Sequence, residues 1–311
     1  YRELCVADQY PACYPVLASL PKLTIHSWLT ALQTERLEQK AQLITQRLAL
    51  CNRNWEDAFF ITLARNFGFG LNGDAFETWA GLLPFRAMDK HRNDLFQIEA
   101  FFYGLAGLLE ETFLKREQED EYSLRLCKEF RYLQRKFEIG QGMDATLWRF
   151  LRLRPDNFPH IRLAQLAYLY QKGDKLFSRL LEAETLADVR TLLDTRTSSY
   201  WENHYLFGRL SSQKEKTLGE RSKDLIIINT VVPFLYTYGL HKADERMCER
   251  AGRFLEELKA ESNHIIRSWS DAGLPVVSAA DSQALIQLQK EYCDKRKCLY
   301  CRFGYEYLKH N

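Results

Sequence analysis

Leucine outnumbers valine 47 to 7 in this 311-residue chain. Leucine, unbranched at Cβ, loses little rotamer freedom in a helix, whereas β-branched valine suits pleated sheet. A parallel sheet, whose buried strands are rich in valine, is therefore not expected. Fifteen glycines and eight prolines form about 7% of the chain, against roughly 12% in ordinary usage, so turns should be few and elements long. A globule of this length buries roughly three-quarters of its unfolded surface, enough for a real core. The expectation is an all-α, compact fold of ten or more helices with no substantial sheet.

Local signals agree. Thr24 is placed to cap a helix with Ile25, Trp28, Leu29 and Leu32 on one face. Asn54, with Asp57 three residues on, reads as a cap before the stripe Phe59, Leu63, Phe67. The run Leu95 to Leu109 is apolar nearly all round, as in a central helix. From Glu110 to Glu138 acids precede bases, which suits a solvated helix packed through Leu124, Cys127, Leu133 and Phe137. Asp144 is expected to cap a helix placing Trp148 and Leu151 on one face. Thr195 to Gly219 reads as irregular and mobile, 225–240 as a buried helix kinked before Pro233, and 243–271 as one helix. Gly140 to Gly142 is the clearest break, suggesting helical subdomains over 1–139 and 140–311.

Charge is nearly balanced at +2, so no global field draws the chain to nucleic acid or anionic lipid. The 16-residue stretch Leu225 to Leu240 is too short and too polar to span a membrane. Eight cysteines are too sparse for a disulfide scaffold, and a reduced, cytoplasmic setting is expected. The chain opens at Tyr1 without Met, which reads as a fragment or a trimmed precursor.

The strongest chemical signal is Cys293-x4-Cys298-x2-Cys301. A Cys-x2-Cys pair lets two thiolates hold one tetrahedral metal from a single turn. Flanking Lys295, Arg296, Lys297 and Arg302 are expected to lower the thiol pKa values. A structural metal needs a fourth ligand, and Cys248 is the first choice, ahead of His264 and His310. Zinc, an iron–sulfur cluster or no metal at all are the three readings of this set. A second signal is the basic-aromatic stretch Leu147 to Ala167. Arg149, Arg152, Arg154, His160 and Arg162, interleaved with Trp148, Phe150 and Phe158, are candidates to grip phosphates or stack on bases. Gly68, Gly70 and Gly73 have no preceding strand and no following Lys-Ser/Thr, so they read as a helix–helix connection, with Asn66, Asn72, Asp74 and Glu77 as polar groups around it. The seven histidines are scattered without an HExxH pair, and no GxSxG elbow occurs.

The phrases LTIHSWLTALQTERLEQKAQLI, ARNFGFGLNGDAFE, LWRFLRLRPDNFPHIRLAQLA, ADSQALIQLQKEYC and CLYCRFGYEYLK resemble an uncharacterised bacterial family, the domain of unknown function 2851. The resemblance carries no activity. It implies a helical C-terminal part of longer proteins whose N-terminal segment is β-rich. Two functional readings stand. One is a binding or scaffolding module that contacts nucleic acid or a partner domain through its basic-aromatic helices. The other is an enzyme or enzyme subunit of nucleic-acid processing, its catalytic part in a preceding segment.

Overall fold

The computed structural model describes residues 13–17 and 19–310. Helices dominate, as the leucine excess requires. Among the described residues strand is limited to His204–Leu206 and Arg209–Leu210, paired antiparallel. No helix is long and apolar enough to cross a membrane among those residues. The chain divides into two compact units: residues 47–230 form one, and the described residues up to Gln46 with those from Val231 form the other. The Gly140–Gly142 break lies inside the 47–230 unit.

In that unit the Asn54 side chain accepts the backbone N–H groups of Glu56 and Asp57 and starts the Trp55–Phe67 helix, whose Phe59, Leu63 and Phe67 are buried. The Leu95–Leu105 helix, capped by Asp94, has every residue from Ile98 to Leu105 buried. Two indoles add bonds at its C-terminal end, where Phe102 O already accepts the Ala106 N–H at 3.0 Å. The Trp79 indole donates to Phe102 O at 3.0 Å, and the Trp148 indole to nearby Ala106 O at 2.8 Å. The Glu121–Lys136 helix, opened by an Asp120/Ser123 capping box, packs against it. Gly104 makes this possible, because a Cβ there would stand 2.2 Å from the Phe130 ring. Leu124 was expected inside but is 52% exposed. Leu126, Phe130 and Leu133 define the inner face, and at about 100° per residue Leu124 points away from it.

The 195–219 segment is irregular but anchored, with Trp201 and Phe207 fully buried, which corrects the expectation of mobility. In the other unit the long helix begins at Lys22 rather than after a Thr24 cap, and Leu29, Leu32, Leu37, Ala41 and Ile44 face inward. Along Glu220–Lys242 the backbone widens into a π-helical turn at Ile227–Val231 just before Pro233, which has no N–H to donate. The expected 243–271 helix is two, Glu245–Glu257 and His264–Asp271. Between them Lys259 bridges Ser278, and Ala279 N–H donates to Leu258 O at 2.8 Å. That pairing takes the backbone groups a continuous helix would use.

Candidate functional site

The C-terminal cysteines sit on a built turn. A Ser278/Asp281 capping box starts the Ala279–Gln287 helix, which runs on as a π-helix over Leu288–Cys293. Arg296, at φ 52°, reverses the chain, and Lys297 N–H donates to Tyr292 O at 2.7 Å. Cys298–Tyr300 then form one 3-10 turn, and Cys301 is extended ahead of the Arg302–His310 helix. Gly304 lets that helix lie on the turn, since a Cβ would meet the Cys298 carbonyl oxygen at 2.3 Å. Cys301 is buried, and its sulfur receives the backbone N–H groups of Gly304 and Phe303.

Cys248 lies elsewhere in the same unit. Its thiol donates to Tyr236 O at 3.7 Å, and the charges acting on it are Asp244, Glu245 and Glu249. The cysteine brought to the C-terminal turn is Cys13. It is buried in one apolar cluster with Cys301 and Phe303, against which Cys293, Trp28 and Tyr292 pack. Burial pushes the Cys13 thiol up to about 12, and nearby Cys301 and Cys298 push the same way. Burial likewise raises Cys301, against the pull of its amide donors. The expected lowering by Lys295, Arg296, Lys297 and Arg302 does not appear at Cys301, because those residues are exposed and desolvation dominates.

The basic-aromatic stretch divides by burial. Asp144 accepts Thr146 N–H and caps only the short 3-10 turn Ala145–Leu147. The Asn72 side chain then grips the Arg149 backbone on both sides, accepting its N–H and donating to its carbonyl, each at 2.8 Å. Arg152 is left-handed at φ 65°. No helix forms here, so Trp148 is buried while Leu151 is 82% exposed, a correction to their expected shared face. Arg149, Arg152 and Arg154 are exposed. Arg162 is not: its guanidinium donates to Gln165 at 2.8 Å and Asn157 at 2.5 Å and lies over the Phe69 ring. Burial lowers its pKa to about 10. His160 is wholly buried among the rings of Tyr103, Phe113, Trp201 and Phe207. The polar groups near the glycines do not converge either: Glu77 pairs with Arg47 and Arg65, Asp74 with Arg65, and Asn66 bonds Asn229 O and Thr230.

Sequence reasoning missed Glu99. It is fully buried and receives the hydroxyls of Tyr122 and, at 2.9 Å, Ser198. Tyr122 stacks on Tyr200 at 3.9 Å, Tyr200 stacks on His204 at 4.0 Å, and the Tyr200 hydroxyl donates to Asp120. Desolvation outweighs the hydroxyl donors and lifts the Glu99 carboxyl to about 7. The readable signal was a lone acid inside the apolar run LFQIEAFFYGL. A second acid, Asp57, lines a cavity of about 220 Å³ with Asp89, Glu56 and Tyr170. Burial, then the charges of Asp89 and Glu56, lift it to about 6.

The fold thus defines a predominantly helical protein of two compact units. Residues 1–264 match the family described as "Protein of unknown function (DUF2851)", and the chain belongs to that family. The cysteine turn at 293–301 lies beyond the matched residues. No curated protein and no solved structure matches the chain.

Proposed function

We propose that the chain is a binding module whose Leu147–Arg154 loop docks an acidic, partly apolar protein partner in a reduced, cytoplasmic setting. The observation that carries this reading is the sorting of side chains on that loop. Arg149, Arg152 and Arg154 project into solvent together with Leu147 and Leu151, which are 51% and 82% exposed. The aromatic groups that base stacking requires are turned inward: Trp148 and His160 are buried, and Phe150 and Phe158 are half-buried and pack on one another. Arginine with exposed aliphatic surface complements an acidic protein face better than a nucleic-acid strand. The Asn72 clamp fixes the loop and lowers the ordering cost of docking.

Fluorescence anisotropy with a labelled amphipathic Glu/Leu peptide, and with labelled single- and double-stranded oligonucleotides, tests it. The peptide should bind with salt-sensitive affinity. Both an R149A/R152A/R154A triple variant and an L147S/L151S double variant should lose roughly tenfold, about 1.4 kcal/mol. Oligonucleotide binding that depends on the arginines and ignores the leucines would overturn the reading in favour of nucleic acid.

A further inference from the structure

We infer that Cys13, Cys293, Cys298 and Cys301 form a structural zinc site, with Cys13 rather than Cys248 as the fourth ligand. Three observations converge on it. First, Cys13 and Cys301 share one buried cluster and Cys293 packs on its edge, although 280 residues separate Cys13 from Cys293 in the chain. Cys298 stands three residues before Cys301 on the 3-10 turn and lies near enough to act on both Cys13 and Cys301. Second, backbone donors already reach the sulfur. The Phe303 and Gly304 amides are aimed at Cys301 Sγ. N–H donors of this kind tune a metal-bound thiolate. Third, the Trp28 indole N–H is buried and meets no acceptor that satisfies it among the described residues. It is turned toward Cys301 Sγ. A neutral thiol is a weak acceptor, whereas a thiolate on zinc would satisfy that donor.

Among the described residues no three His, Cys, Asp or Glu side chains already stand at ligand spacing. Binding therefore includes side-chain rotation that closes the thiols onto the ion. Four thiols release four protons as four Zn–S bonds form, and no oxidation occurs. A single tetrahedral ion suits the apolar packing of Trp28, Tyr292 and Phe303 better than a bulkier iron–sulfur cluster. The metal would tie the segment at Cys13 to the Arg302–His310 helix.

The test uses the intact chain. Cysteines are alkylated with and without one equivalent of zinc and mapped by mass spectrometry. Zinc should slow labelling of Cys13, Cys293, Cys298 and Cys301 at least tenfold and leave Cys51, Cys127 and Cys248 unchanged. Cobalt(II) should give a thiolate charge-transfer band that weakens by about a quarter in Cys13→Ser, as one of four thiolates is removed, and is unchanged in Cys248→Ser. Protection of Cys248 or Cys5 in place of Cys13, absence of protection, or iron with sulfide in anaerobically prepared protein would overturn the assignment. Because the labelling arm needs only wild-type protein, a variant that fails to fold does not blunt the test.

Discussion

Replacing Glu99 by Gln isolates the cost of keeping an acid in the core. In the folded protein the carboxyl titrates at about 7, against 4.5 in an ordinary setting. The sign follows from proton counting. Below about pH 4.5 both states hold the proton and the burial cost is absent. Between about 4.5 and 7 the unfolded chain has released its proton while the folded chain retains it, so raising the pH favours unfolding. Above 7 both are ionised and the cost is complete. The displacement corresponds to about 3 kcal/mol at 1.36 kcal/mol for each pH decade. Glutamine resembles the protonated acid in shape: one of the Tyr122 and Ser198 hydroxyls, which meet different carboxylate oxygens, keeps an amide oxygen to donate to, and the other turns to accept from the amide NH2. Urea denaturation of wild type and E99Q from pH 4 to 8 reads the effect, and groups common to both proteins cancel in the difference. The variant should match wild type within about 1 kcal/mol at pH 4 and exceed it by about 3 kcal/mol at pH 8. A stability difference that stays flat across that range would refute the argument that desolvation dominates at Glu99.

Four other substitutions probe the same fold. Arg162→Leu strips Gln165 and Asn157 of their guanidinium donor in the interior and should cost about 2–3 kcal/mol in thermal or urea melts, whereas exposed Arg154→Ala should stay within about 0.5 kcal/mol. Gly104→Ala drives a methyl into the Phe130 ring and should cost about 1–3 kcal/mol by the same melts, with the Glu121–Lys136 helix losing amide-exchange protection first. Asp57→Asn removes a carboxyl held at about 6 by burial and by Asp89 and Glu56. Its melting temperature should pull ahead of wild type as pH rises from 4 to 7 and converge with it below pH 4.

What the sequence discloses here is what lies within a few residues. The Asn54 cap and the Phe59, Leu63, Phe67 stripe are readable because both partners of each contact lie within two or three helical turns. The leucine excess settles the fold class for the same reason: propensity sums over local windows. The failures are long-range. Trp148 and Leu151 have helical spacing, but an amide from Asn72, 77 residues away from Arg149, captures the backbone between them. The break at 258–263 depends on pairing with 277–279, which no local pattern announces. Arg162 looked like its exposed neighbours because composition does not reveal that Gln165, Asn157 and Phe69 enclose it. For the cysteines, the spacing of the triplet located the turn, while the partner at Cys13 is separated from Cys301 by nearly the whole chain.

The discontinuous unit has a consequence for biosynthesis. Residues 47–230 are contiguous and can close once residue 230 has left the ribosome. Leu29 and Leu32 of the Lys22–Leu50 helix must wait for the segment carrying Ile266, Trp269, Leu285 and Leu288, which joins them in one cluster. At about 5–20 residues per second, that wait lasts on the order of ten seconds to a minute. A nascent chain therefore carries Leu29 and Leu32 uncovered until that segment is made. A nascent-chain-binding holdase should crosslink to residues 25–32 of ribosome-bound chains stalled before residue 266 and be lost from chains in which Phe303 has cleared the exit tunnel.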